Sequence, residues 1–117
     1  MKFYSLLDQS TTEEFESAYK TAREIGILRY SEDTLFFKNK RKVYYIPFTE
    51  IHRCFRRVMG VPMKFCCGKG ELAVENLVIC DKEDKEIAQI QLPGTKAAQI
   101  LMEELKTKMP DVLFVKP

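Results

Sequence analysis

From Ile27 to Leu92 the side chains alternate in character in short runs separated by turn-forming residues, and after Pro93-Gly94 the apolar spacing changes once, to threes and fours. A period of two belongs to strands and one near 3.6 to helices. The chain therefore reads as a series of short strands followed by one helix. Pro93 cannot donate to a ladder, and Thr95 stands where a first helical turn needs a cap. Ala98, Leu101, Met102, Leu105 and Met109 then share one helical face, while Lys96, Gln99, Glu103, Glu104, Lys106 and Lys108 lie mostly opposite. The helix predicted over 95–109 stops at Pro110. Its apolar face needs a surface to cover, and the strands are what the chain supplies.

Seven strands are predicted within 26–92: 27–30, 34–37, 43–46, 51–59, 63–67, 72–80 and 87–92. Ser31-Glu32-Asp33, Asn39-Lys40-Arg41 and the charged run Asp81 to Lys85 form turns between them, and Gly68-Lys69-Gly70 supplies the positive backbone angles of a further hairpin. Upstream, Ser10 with Glu13 and Thr11 with Glu14 make two overlapping capping boxes. They predict a helix over 11–25, with Phe15, Ala18, Tyr19, Ala22 and Ile25 on one stripe and Gly26 as its end. This helix is expected to dock on the strands. Residues 1–10 form an N-terminal segment. The tail 110–117 has strand composition at Val112 to Val115, which suits either addition to a sheet edge or packing on the surface.

At 117 residues the chain reads as one domain. Its 45% hydrophobic and 31% charged residues exclude wholesale disorder. A net charge of +2 argues against nucleic acid as the partner. No apolar run is long enough to span a membrane, and Met1 to Asp8 lacks the long apolar region of a secretory signal, so a cytoplasmic location is expected. Cys54, Cys66, Cys67 and Cys80 include no C-x-x-C pair and have no metal-spaced histidine, so neither a metal nor a cofactor is expected. All four fit the role of small buried hydrophobes in strands. Adjacent strand residues face opposite ways, however, so one of Cys66 and Cys67 is an exposed thiol and a candidate redox site.

Gly26-Ile27-Leu28, Leu35-Phe36-Phe37 and the step Ile46-Pro47-Phe48-Thr49-Glu50-Ile51, in the setting of seven antiparallel strands and a C-terminal helix, resemble the pleckstrin-homology-like superfold in its small bacterial and GRAM-type forms. The resemblance covers about Ile25 to Met109, and the N-terminal helix is an addition to it. It implies a seven-stranded antiparallel barrel or sandwich closed by the helix, and a non-enzymatic module that binds phosphoinositides, peptides or other domains. In lipid-binding members the basic residues cluster in the first hairpin. Here that turn carries Glu32 and Asp33, which repel phosphate.

Two basic groups are the candidate anion sites: Lys38, Lys40, Arg41 and Lys42 in the second turn, and Arg53 with Arg57 on one strand face around Phe55. The alternative for the first is a solvated edge. For the second it is pairing of Arg53, Arg56 or Arg57 with Glu50, Glu71 or Glu75. His52, the only histidine, has no placed nucleophile or acid, and no catalytic residue is assigned. The expected function is recognition of a protein or peptide segment by strand addition beside the C-terminal helix, with homodimerisation through the same edge as a variant. Peripheral binding of anionic lipid or a phosphorylated ligand is the alternative. A small enzyme or a nucleic-acid binder comes third.

Overall fold

The apolar run Leu35-Phe36-Phe37 explains the architecture, because a strand buries consecutive residues only where both faces of its sheet are covered. The structure, a computed structural model, describes residues 2–8, 10–62 and 71–116, with the backbone alone at 61–62 and 71–73. Its elements in order are β1 (Phe3–Ser5), β2 (Thr11–Thr12), α1 (Glu16–Thr21), β3 (Arg23–Ile25), β4 (Leu28–Tyr30), β5 (Thr34–Asn39), β6 (Lys42–Pro47), β7 (Arg53–Pro62), β8 (Glu71–Cys80), β9 (Glu86–Gln91) and α2 (Thr95–Lys108). They form a mixed six-stranded sheet of order β2-β1-β6-β5-β4-β3 and an antiparallel three-stranded sheet of order β7-β8-β9. Leu35 and Phe37 join the main core with Leu28, Ile46, Cys54, Leu77, Ile79 and Ile90 from the strands and Ala98, Leu101 and Leu105 from α2. Phe36 points the other way, into a second cluster with Phe3 and Val43 that Phe15, Ala18 and Tyr19 cover. Both faces of β5 are thereby covered from Thr34 to Phe37.

Among the described residues nine strands stand where seven were expected for the chain, and one strand pairing is parallel: β1 lies against β6 with Phe3 opposite Val43. Nothing in the first ten residues announces this strand, since it exists only through a distant partner. The two sheets share no ladder among the described residues, so they pack face to face with α2 and do not close a barrel. Where β3 and β4 turn at Gly26, a Cβ would stand 2.9 Å from Pro93 Cδ and Cγ. That seam is a side-chain contact, and Pro93 has no N–H with which to extend a ladder across it.

The N-terminal helix spans Glu16–Thr21, not 11–25, and neither predicted capping box forms. Ser10 donates to Asp8 Oδ1 at 2.7 Å, and Thr11-Thr12 pairs with β1. The β-branched pair is used as strand, and the Ser10 and Thr12 hydroxyls are engaged in local turns, Thr12 accepting from Glu14 N–H. At the other end Ala22 is extended and Arg23–Ile25 forms β3, so Gly26 (φ +61°) opens a two-residue hairpin turn instead of ending a helix. Both motifs demand a positive φ, which is why one glycine fits either. The short helix still docks on the strands as expected, through Phe15 against Tyr45 at 4.6 Å and Tyr19 against Phe36 at 5.5 Å between ring centroids.

Thr95 is the first residue of α2; Gly94 holds the cap position, and no side chain caps it. The strand predicted to end near Met59 continues through Gly60 to Pro62 and is itself the partner of β8, with Pro62 opposite Glu71. Met63 to Cys67 and the Gly68-Lys69-Gly70 turn lie outside the described residues. The tail does add to an edge: Leu113 bridges Arg53 in parallel. Among the described residues no helix is long and apolar enough to cross a membrane.

Candidate functional site: the outer edge of β7

β7 is an edge strand, and its side chains divide between two faces. Cys54 faces the core, in line with Arg56 and Val58; Arg53, Phe55 and Arg57 occupy the other side. On the core side Arg56 reaches Glu75 through two contacts, Nη2 to Oε1 at 2.6 Å and Nε to Oε2 at 3.2 Å. Glu75 is only 4% exposed, and it lies beside the start of α2. The Arg56 hydrogen bonds hold its carboxyl below the ordinary range against the opposing effect of burial, with a smaller contribution from the Thr95 hydroxyl. This pair ties the edge strand to the sheet interior and fixes one wall of a groove of about 630 Å³. Phe55, Met102, Lys106 and Phe114 are among the residues lining it.

Cys54 N–H donates to the Leu113 carbonyl at 2.8 Å, and Leu113 N–H donates to the His52 carbonyl at 3.0 Å. Cys54 therefore points its main-chain groups outward. By strand alternation so do Arg56, Val58 and Gly60. Nothing pairs with these three among the described residues, whereas the groups of Phe55, Arg57 and Met59 turn toward β8. Val58 and Met59 are exposed beside them, at 55% and 41%. Pro62, next in the outward series, has no N–H to offer, which blunts the far end of the edge.

The predicted anion sites fall on different sheets. Arg53 is committed internally, to Asp84 Oδ1 at 2.9 Å and to the Val115 carbonyl at 2.8 Å. Arg57 bonds Glu86 and Gln89, each at 2.8 Å, and lies over the Phe55 ring. Both guanidiniums thus have partners, though Glu75 takes Arg56, and Asp84 and Glu86 were not foreseen. Lys38, Lys40, Arg41 and Lys42 sit together at the exposed tip of the β5–β6 hairpin, where Lys40 adopts φ +59°. None of the four has a carboxylate partner among the described residues, and Lys42 rests over the Tyr4 ring at 5.1 Å.

Elsewhere, a recess of about 480 Å³ between β4 and α2 is lined by charges that neutralise one another: Arg23 with Glu104 at 2.9 Å and Lys108 with Glu32 at 3.3 Å, while the Tyr30 hydroxyl donates to Glu104. Cys54 and Cys80 are buried, and burial pushes both thiols up, most strongly Cys54. Cys66 and Cys67, the predicted exposed thiols, lie outside the described residues. Among the described residues no group of histidine, cysteine and carboxylate side chains is placed to hold a metal ion. No family model, curated protein or solved structure matches the chain.

Proposed function

We propose that this chain is a non-enzymatic binding module that takes up an extended protein or peptide segment along the outer edge of β7, on a fold of the pleckstrin-homology-like kind in its open, two-sheet form. One observation carries the reading: Leu113 in the chain's own tail already lies against this edge through two main-chain hydrogen bonds, and Arg56, Val58 and Gly60 continue it unpaired among the described residues. Added main-chain bonds give affinity and the groove beneath gives side-chain selectivity. A peptide-display selection against the purified chain tests this. Selected peptides should slow amide exchange at Arg56, Val58 and Gly60 and should lose binding to Val58→Pro. Peptides that perturb only another surface, with Val58→Pro binding as well as the parent, would overturn it.

The second reading, peripheral binding of an anionic lipid surface, is favoured by one feature of the hairpin tip. Ile27, 49% exposed in the neighbouring β3–β4 turn, lies beside Lys38 at the base of this tip, its carbonyl accepting from Lys38 N–H at 3.2 Å. An exposed apolar side chain near cations that have no carboxylate partner among the described residues suits a headgroup layer. Co-sedimentation with phosphatidylserine vesicles at low salt, lost in the Lys40→Glu/Arg41→Glu variant, supports it; no co-sedimentation refutes it.

A further inference from the structure

We infer that residues 112–116 are a resident competitor for the β7 edge: an internal stand-in that an incoming extended, apolar segment running parallel to β7 must displace. The inference rests on the edge reading above and adds the regulation of that site and the chemistry of its ligand.

The segment occupies its place as a ligand would. Leu113 makes the two main-chain bonds of a parallel bridge, Arg53 Nη1 donates to the Val115 carbonyl at 2.8 Å, and Phe114 lines the groove with Phe55 and Met102. Parallel direction, an apolar residue at the bridge and an aromatic ring in the groove are the features a competing segment has to reproduce. The hold is light, since Leu113 is 42% and Val115 62% exposed and the pairing ends at one bridge. Such a segment opens far more readily than the strands beneath it. A longer incoming strand gains the same two bonds and further ones at Arg56 and Val58, so displacement runs in its favour. While the resident segment is seated, apparent affinity falls in proportion to the open fraction. Two main-chain bonds set that fraction at roughly one part in ten to one in a hundred.

The test uses the full chain and a fluorescein-labelled peptide with the sequence of residues 110–116, followed by anisotropy and by amide shifts. Leu113→Pro removes the donor to His52, and Phe114→Ser empties the groove independently. Leu113 is exposed and Phe114 half-buried, and circular dichroism checks folding. At least one folded variant should bind the peptide ten- to a hundredfold tighter than the parent chain, with shifts at His52 to Cys54. Equal affinity for parent and variants would overturn the competitor role. If shifts then map to Arg56 to Gly60, the edge reading itself survives. No binding to a folded variant whose Cys54 amide has become exchangeable would also overturn the inference, because the segment would then not resemble a ligand.

Discussion

Replacing Arg56 by Met should cost far more than replacing its partner Glu75 by Gln, although both remove the same ion pair. Glu75 is 4% exposed and the Arg56 side chain 30%. Without Arg56 a carboxylate stays buried with only the Thr95 hydroxyl and its surroundings to satisfy it. Without the Glu75 charge, the guanidinium turns to water and Gln still accepts one of its hydrogen bonds. Breaking a fully buried pair costs about 3–5 kcal/mol and an exposed one under about 1 kcal/mol. Arg56→Met belongs near the lower end of the first range, about 3 kcal/mol, and Glu75→Gln near about 1 kcal/mol. With a urea slope of about 1.5 kcal/mol per molar, the midpoints should fall by about 2 M and about 0.7 M. Glu75→Gln placed on the Arg56→Met background should recover part of the loss. The pH dependence has a definite sign. Glu75 is held below its ordinary value, so the pair's stabilisation is full above the unfolded carboxyl pKa and disappears as pH falls through the folded one. In Arg56→Met burial outweighs the remaining Thr95 hydrogen bond and raises that pKa, so its deficit should shrink on acidification. Equal midpoints for the two single variants at pH 7, or an Arg56→Met loss below about 0.5 kcal/mol, would refute the reasoning.

Gly26→Ala combines a left-handed backbone angle with a Cβ 2.9 Å from the Pro93 ring, and should cost about 2 kcal/mol or more in urea melts. Pro93→Ala on the same background should return only the steric part. Phe36→Ala empties the cluster between the six-stranded sheet and α1 and should cost about 3–5 kcal/mol, whereas Ser10→Ala, which removes no helix cap, should stay within about 0.5 kcal/mol. Cys54, buried and with its thiol pushed up, should resist iodoacetamide in the native chain at pH 8 and become alkylated only on denaturation, as peptide mass spectrometry would show.

The parts of the fold that sequence reveals are those whose signal is local. α2 announces itself through its 3.6 period and the Pro93-Gly94 break, and β5 and β6 through the turn at Lys40-Arg41, because pattern and punctuation agree there. β1 has no local signature and exists because β6 is beside it. The capping boxes at Ser10 and Thr11 failed because the same hydroxyls and β-branched carbons serve a turn and a strand equally well. Tertiary pairing decided. Of the site, the basic strand and the strand-like tail were legible, but not their union. Arg53 and Arg57 find Asp84 and Glu86 only because β8 brings the β9 turn alongside, a register that no spacing within 51–59 encodes. The open edge follows from which amides face outward, and that parity is set by one bridge to Leu113.

The most direct test of the central claim is residue-by-residue amide hydrogen exchange on the dilute, ligand-free chain. An open β7 edge predicts fast exchange at Arg56, Val58 and Gly60, slow exchange at Phe55, Arg57 and Met59, and intermediate protection at Cys54 from the Leu113 carbonyl. Uniform protection from Cys54 through Gly60 would mean that the edge is already paired or covered, and would contradict the account.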